Sequence, residues 1–213
     1  LFFLISTFSL NETVFSKEIS IIETVKIWDK APHNAFTDLE YYKGKWYCAF
    51  REGKGHAGSG DYGKIRIIRS KDGKDWQSVA LLEKEQVDLR DAKLSITPNG
   101  KLLLNSCEYR VDNDSDSIRN NTSITLLSDN GEDWSKSNQI ADKNFWLWQT
   151  TWHNSKGYAL GYRWGINDMT RLYTTTNGVD YIQLIDHLRP PGDKSNEHAL
   201  LFDSKNTAHM LLR

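Results

Sequence analysis

The sequence predicts an all-β protein whose four-stranded sheets are arranged like the blades of a propeller. Three segments share the pattern hydroxyl-x-Asp/Asn-Gly-x-Asp-aromatic, namely residues 70–76, 128–134 and 175–181. Each segment follows an apolar run of the type that forms strands, and helical periodicity is almost absent from the chain. The glycines of the three copies lie 58 and 47 residues apart, which is in the range of propeller blades.

The chain divides from residue 35 onwards into units of four strands separated by turns. The first turns of successive units contain Gly44, Gly100 and Gly157, which recur every 56 or 57 residues, and glycine tolerates the positive φ of hairpin turns. The predicted strands cover residues 36–42, 46–51, 64–69 and 77–82, then 93–97, 102–110, 123–127 and a strand near Gln139, then 146–153, 158–163, 171–174 and 182–185, and finally 196–202 and 208–213. These strands make about three and a half blades, which cannot close a ring. We therefore expect further strands after residue 213 and a closing strand at residues 22–28.

The repeated segment is expected to be a structural turn. Its hydroxyl and its Asp or Asn side chain can accept hydrogen bonds from backbone N–H groups of the turn, and its glycine can supply a positive φ. The aromatic residue that follows can pack beneath the turn. We therefore assign no catalytic role to the repeat.

Composition limits the classes of partner. The 213 residues carry 27 Lys and Arg against 28 Asp and Glu, a formal net charge of −1, so no charge excess favours nucleic acid or an anionic membrane. The only two cysteines, Cys48 and Cys107, lie in strand patterns. We expect them to be buried free thiols, with a disulfide as the alternative.

The first ten residues are apolar and too short to span a bilayer. They are typical of the apolar region of a signal peptide, with Ser16 near a plausible cleavage point. We therefore expect residues 1–16 to be a partial signal peptide of a secreted protein, and residues 17–213 to be the N-terminal part of a propeller domain. An N-terminal strand is the alternative for the apolar segment.

Alternating strand directions place the first turn and the repeated turn of each unit on one face of the propeller. The opposite face collects polar residues from all four units: Asp38, Arg51, His56, Asp61, Arg90, Asp91, Glu108, Arg110, Arg163, Trp164, Glu197 and Arg213. All four second strands end in arginine, and arginine is suited to bidentate recognition of carboxylates. We therefore expect an anion site on this face, with the aromatic residues Trp148, Tyr162 and Trp164 available to line a sugar pocket.

With these features the sequence resembles the Asp-box sialidases, a family of six-bladed propellers, over roughly residues 33–213. The three repeats correspond to the Asp boxes of that family. Phe50-Arg51-Glu52-Gly53 occupies the place of the family's aromatic-Arg-Ile-Pro motif, with the arginine matched and the Ile-Pro absent. Asn196-Glu197, followed by Arg213 at the end of the next strand, fits the order of the family's next motif.

The resemblance implies roles for individual residues. Arg51 and Arg213 would bind the substrate carboxylate. Asp61 would protonate the leaving oxygen and later activate water, with His56 as its alternative, and Glu197 would take the proton of a tyrosine nucleophile. That tyrosine and a third arginine would lie beyond residue 213. The further substrate-binding candidates are Arg90, Asp91, Trp148 and Arg163.

The function implied is a secreted exo-α-sialidase that cleaves terminal sialic acid with retention, by way of a tyrosine nucleophile. Two alternatives stay open: a non-catalytic carbohydrate-binding propeller, and a glycosidase of the same fold that acts on another sugar. The partner in each case is a glycan, and no cofactor or metal is implied. On its own, this part of the chain is expected to be inactive.

Overall fold

The computed structural model describes residues 20–56, 60–110, 120–163, 168–190 and 193–213. Within these ranges the regular structure consists of fifteen β-strands without a helix, which confirms the all-β prediction. The predicted signal segment, residues 1–16, lies outside the described residues. No helix among the described residues is long and apolar enough to cross a membrane.

The strands form four consecutive antiparallel sheets. The first sheet contains β1 (His33–Tyr42), β2 (Lys45–Gly53), β3 (Lys64–Ser70) and β4 (Gln77–Leu82). The second contains β5 (Asp88–Ile96), β6 (Leu102–Arg110), β7 (Asn120–Ser128) and β8 (Asn138–Gln139). The third contains β9 (Trp146–Leu147), β10 (Thr151–His153), β11 (Lys156–Arg163), β12 (Met169–Thr175) and β13 (Tyr181–Ile185), and the fourth contains β14 (His198–Phe202) and β15 (Ala208–Leu212).

This order confirms the predicted succession of units, with two differences. The predicted strand 146–153 is divided into β9 and β10, and both pieces pair with β11. Residues 22–28, predicted to close the ring as a strand, pair with none of the strands described here, and their place in the full ring stays a prediction. Trp28 instead packs against Phe50 and donates its indole N–H to Glu52 at 2.7 Å.

The repeated segments are turns with the predicted hydrogen bonds. In the second copy, the Ser128 hydroxyl accepts from the backbone N–H of Asn130 at 3.4 Å and of Gly131 at 2.8 Å. The side-chain oxygen of Asn130 accepts from the N–H of Glu132 and of Asp133 at 2.9 and 2.8 Å. The turns after β3 and β12 contain the equivalent bonds. The repeat is therefore a structural turn.

Two of these turns dock on the preceding sheet. Tyr47 of β2 donates its hydroxyl proton to the Asn130 carbonyl at 2.9 Å. Thr125 of β7 donates to the Gly178 carbonyl in the third turn at 2.7 Å. Each turn after the first is thus bonded to a hydroxyl of the sheet before it.

The first turns of the units lie beside the repeated turns, which confirms that they share a face. The Tyr42 hydroxyl lies 2.9 Å from the Gly100 carbonyl and 3.0 Å from the Asp129 carbonyl. The largest core lies between the first two sheets. Its buried members include Tyr42, Tyr47, Ile65, Ile67, Leu89, Leu94, Leu102, Leu104, Ile124 and Leu126. The described chain therefore has a turn face and an opposite face, on which the polar residues collect.

The two cysteines are buried and free, as predicted. Burial raises the pKa of the Cys48 thiol to about 11, and the nearby Asp38 charge adds to this effect. Burial also raises the pKa of the Cys107 thiol. Neither thiol is therefore placed to react.

Candidate rim site on the face opposite the turns

The first strands of the sheets are irregular where they approach this face. In β1 the register against β2 shifts between Ala35 and Asp38, and in β5 the register against β6 shifts between Arg90 and Lys93. Each shift leaves two residues opposite one, which is a β-bulge. In each bulge, the first of the two residues that lie opposite one partner has a positive φ, 60° at Phe36 and 53° at Asp91. Such φ values are uncommon for residues other than glycine, and strain of this kind occurs at functional sites.

The bulge of β5 carries a buried acid. Asp91 is 8% exposed. Its burial raises the pKa of its carboxyl to about 6, and the negative charges of Glu197 and Asp88 act in the same direction. Lys93 and Arg90 oppose this rise. A carboxyl group with such a pKa can both hold and release a proton near neutral pH.

Two residues from other parts of the fold interact electrostatically with Asp91, and a third residue forms an ion pair with one of them. Glu197, just before β14, interacts with it electrostatically, and the Arg213 guanidinium forms an ion pair with Glu197 at 2.7 Å. Tyr162 of β11 is 3% exposed and stacks on Trp146, with ring centroids 6.4 Å apart. Burial raises the pKa of the Tyr162 phenol, and the charges of Asp91 and Glu197 raise it further. We refer to Asp91, Tyr162, Glu197 and Arg213 as the rim site.

Lys93 lies beside this site, although the sequence analysis did not select it. Its ammonium nitrogen is 4.7 Å from the centroid of the Trp148 ring and 3.5 Å from the Thr37 carbonyl oxygen. Asp38 of β1 accepts from the Leu94 N–H at 2.7 Å. Burial raises the pKa of Asp38, whereas this hydrogen bond and the Lys93 charge lower it. The predicted rim aromatic Trp148 is therefore paired with a cation.

The predicted pair of Arg51 and Asp61 belongs to a different network. Arg51 is completely buried, and its Nε donates to Asp88 at 2.7 Å while Nη1 donates to the Gly55 carbonyl at 2.9 Å. Its Nη2 lies 3.4 Å from the Asp61 carboxylate. A Cβ at Gly63 would lie 2.5 Å from Asp88 Oδ1, so glycine is needed at this position to enclose the guanidinium. Arg51 is therefore held in an internal network of ion pairs and hydrogen bonds. This environment differs from the exposed position that its predicted role in binding a substrate carboxylate would need.

Asp61 has contacts that favour its charged form. Its carboxylate accepts from the backbone N–H of Lys54 and Gly55 at 2.9 and 2.8 Å. Burial raises the pKa of Asp61, but these bonds and the Arg51 charge outweigh it, so that the pKa is lowered overall. A general acid must hold its proton until transfer, so this environment suits a loop anchor better than the predicted acid.

The other predicted residues are dispersed. Arg90 donates to Asp88 at 2.6 Å and lies over the Tyr109 ring at 4.4 Å. His56 packs against Phe36, with centroids 4.9 Å apart. Arg163 lies over the Phe145 ring at 5.1 Å. The four arginines that end the second strands therefore do not converge on one anion, because Arg51 is enclosed and Arg163 packs on an aromatic ring. Trp164 is outside the described residues.

Sequence reasoning missed two charged residues that influence the rim site, Lys93 and Asp88. Asp88 accepts from both Arg51 and Arg90, and so links the Arg51 network to β5. The available signal was the cluster Asp88-Leu-Arg-Asp91 just before the predicted strand 93–97, which places two acids and one base within four residues. Among the described residues, no group of three or more His, Cys, Asp or Glu side chains is placed to hold a metal ion.

Comparison with known proteins shows the fold. No protein-family model and no curated protein sequence matches the chain. The chain is similar to a protein of unknown function from Dyadobacter fermentans, with a TM-score of 0.67 and 16% identity over 85% of this chain and 62% of that one. It is also similar to the GH93 α-L-arabinofuranosidase of Fusarium graminearum in complex with arabinobiose, with a TM-score of 0.65 and 13% identity over 85% and 56%. The Bombyx mori GH32 β-fructofuranosidase BmSUC1 gives a TM-score of 0.59 and 13% identity over 84% and 43%.

The antiparallel sheets form a β-propeller fold of the kind found in glycosidases. More specifically, its structural neighbours are mostly glycoside hydrolases, including members of GH32, GH43 and GH93. The chain spans less than two thirds of the length of each of the three proteins described above. The six-bladed form of the full ring stays a prediction.

Proposed function

We propose that the protein is a glycoside hydrolase whose reacting groups are the carboxyls of Asp91 and Glu197. The observation that carries this proposal is the buried Asp91 at a strained bulge, whose pKa is raised to about 6 by burial and by the charge of a second acid from another sheet, Glu197. A buried acid with a perturbed pKa and a specific charged partner is a functional-site candidate. Glycosidases commonly use two carboxyl groups that flank the scissile bond.

The environments of the two acids suggest different roles. Asp91, with its raised pKa, suits the acid that protonates the leaving oxygen. Glu197 is paired with Arg213 and is only partly buried, so its carboxylate suits the group that assists the nucleophile. Asp91 thus takes the role that the sequence resemblance gave to Asp61.

The finer proposal is that the substrate is an α-sialoside, cleaved with retention by a tyrosine nucleophile. Its support is the sequence resemblance together with Arg213, whose side chain is 73% exposed beside Glu197 and can reach a substrate carboxylate. The nucleophile implied by the resemblance lies outside residues 1–213. We also propose export from the cell, on the basis of the apolar residues 1–10.

A second candidate is a glycosidase of the same fold with another substrate. Two structural neighbours are named as an α-L-arabinofuranosidase and a β-fructofuranosidase, so furanosides are the first alternative to examine. The enclosure of Arg51 also favours this candidate, because it leaves one of the two carboxylate-binding arginines without exposed surface.

The test uses the protein with the strands expected after residue 213, and compares release of 4-methylumbelliferone from an α-sialoside and from an α-L-arabinofuranoside. The variants are Asp91→Asn and Glu197→Gln, with Glu83→Gln as the matched control because Glu83 is an exposed carboxylate paired with Lys64. We expect about a 100-fold or greater loss of kcat in both site variants and none in the control.

Each outcome of this assay supports or rejects one of the candidate functions. Release from the sialoside alone supports the sialidase, and release from the furanoside alone supports the second candidate. Turnover that survives both site substitutions would overturn the proposed site. A folded protein without turnover that binds members of a glycan array would be a carbohydrate-binding propeller.

A further inference from the structure

A pocket of about 280 Å³ lies between the first two sheets, at the end of their shared core where β3 begins and β6 ends. Its walls are mainly apolar side chains from both sheets: Ile65, Leu82, Leu89, Leu104, Ile124 and Leu126. The four residues of the rim site are not among those that line it. Small-molecule sites in proteins are mostly apolar concavities in which a few polar groups fix the orientation of the ligand.

The polar groups of this pocket come from the end of β6. Leu104, Ser106 and Glu108 alternate along the strand, so their side chains lie on the same side, which faces the first sheet. The Ser106 hydroxyl donates to the Arg90 carbonyl at 2.7 Å, so its proton is used within the second sheet. Glu108 is 6% exposed and lines the pocket. The wall therefore changes from hydrocarbon to a buried carboxylate within five residues.

An ion pair lies at this polar end. Lys84, from the segment between β4 and β5, places its ammonium nitrogen 2.6 and 2.7 Å from the two carboxylate oxygens of Glu108. Arg110 Nη2 lies 4.0 Å from Glu108 Oε2. An ammonium has three N–H donors, and an ionised carboxylate has about four acceptor sites. The pair can therefore bind a further group that both donates and accepts a hydrogen bond.

The charges around the pocket favour an uncharged ligand. Among the described residues that line it, each acid has its own cation: Glu108 is paired with Lys84, and Glu83 is paired with Lys64. A charged ligand would have to displace one of these partners or lie beside a like charge in a partly buried setting, which costs free energy. A hydroxyl group requires neither change, because it can donate to Glu108 and accept from Lys84 at the same time.

We propose that this pocket binds a small uncharged alcohol, with an aromatic or alkyl body against Ile65, Leu104 and Ile124 and with its hydroxyl on the pair of Glu108 and Lys84. An apolar cavity of about 150 Å³ accommodates benzene. A pocket of about 280 Å³ therefore suits one ring with a short chain. The proposal does not depend on the hydrolase activity, because the pocket and the rim site share no residue.

The experiment is a methyl NMR titration of the protein with the strands expected after residue 213. Ile65 and Ile124 line the pocket, and their signals are identified from their loss in Ile65→Val and Ile124→Val. The probes are 2-phenylethanol, ethylbenzene, 2-phenylethylamine and phenylacetate, which share a ring and differ in the polar group. We expect 2-phenylethanol to shift both signals with a Kd of about 1 mM or lower. The amine and the carboxylate should bind at least about 10-fold more weakly. No saturable shift with the alcohol, or tighter binding of either charged probe, would overturn the proposal.

A substitution tests the recognition of the hydroxyl group. Glu108→Gln removes the charged acceptor, and Glu83→Gln is the matched control because Glu83 lines the same pocket but is paired with Lys64. In Glu108→Gln we expect about a 10-fold or greater loss of affinity for 2-phenylethanol and less than about a twofold change for ethylbenzene. The control should change neither affinity by more than about twofold. Equal changes for both probes in Glu108→Gln would overturn the proposed role of the ion pair. If Glu108→Gln does not fold, Glu108→Asp replaces it under the same criterion.

Discussion

Replacing Gly131 by alanine tests whether the repeated turns hold successive sheets together. Gly131 has a φ of 77°, and a Cβ at this position would lie 2.5 Å from Tyr47 Cζ and 2.8 Å from its hydroxyl oxygen. The substitution therefore strains the turn and also pushes the Tyr47 ring away from the Asn130 carbonyl. Gly73, in the first copy of the turn, has a φ of 78° but nothing within 4 Å of its Cβ position. It is a matched control, because it shares the strain without the contact.

The magnitudes follow from these two situations. The left-handed conformation costs an alanine about 1–2 kcal/mol in either turn. Crowding against a packed ring adds about 1–3 kcal/mol at Gly131 alone, and loss of the tyrosine hydrogen bond adds about 1 kcal/mol. Gly131→Ala should therefore lower the free energy of unfolding by about 2–4 kcal/mol more than Gly73→Ala does.

The assay is urea unfolding followed by tryptophan fluorescence, with thermal unfolding as a second measurement. A difference of about 2 kcal/mol corresponds to a Tm about 4–8 °C lower for a chain of this size. Equal losses in the two variants would refute the reasoning, because they would mean that contact between the turn and the preceding sheet contributes nothing. A larger loss at Gly73 would refute it as well.

Three further predictions concern buried groups. Arg51→Met should lower the free energy of unfolding by about 1.5–3 kcal/mol, because the buried Asp88 carboxylate loses one of its two cationic partners and keeps only Arg90, and a loss below about 1 kcal/mol in urea titrations would contradict this reasoning. The pKa of Asp91 is raised from 3.8 to about 6 in the folded protein. The free energy of unfolding of the wild type should therefore fall by up to about 3 kcal/mol as the pH rises through this window, whereas that of Asp91→Asn should not. The effect is measured as the difference between the unfolding free energies of wild type and variant, determined once at pH 3.5 and once at pH 7. The same difference at both pH values would contradict the prediction. Cys48 and Cys107 should not react with Ellman's reagent at pH 8 in the folded protein and should both react after unfolding; rapid native labelling of either thiol would show that it is accessible.

The repeated turns were predictable because their signal is local. A hydroxyl, an Asp or Asn, and a glycine within four residues determine the hydrogen bonds, and these bonds form in all three copies. The strand order was predictable for the same reason. Alternating apolar runs and glycine turns define each hairpin without reference to distant residues.

The bulges and the fate of Arg51 were not predictable in this way. A bulge is one extra residue relative to a partner strand, so it appears only when the register of two strands is known. The enclosure of Arg51 depends on Asp88, 37 residues further along the chain. The sequence assigned Arg51 and Arg213 to one face in the same role, but it could not show that Arg51 is enclosed in a buried ion pair while Arg213 is exposed.

The docking of the second and third repeated turns on earlier hydroxyls has a consequence for biosynthesis. Tyr47 precedes Asn130 by 83 residues, and Thr125 precedes Gly178 by 53. A ribosome delivers the N-terminal partner first, so each receiving surface can be complete before the turn that settles on it has been made. When sheets are added one after another in this way, each new sheet needs contacts only with the sheet before it. An earlier sheet can therefore act as the template on which the next sheet is ordered.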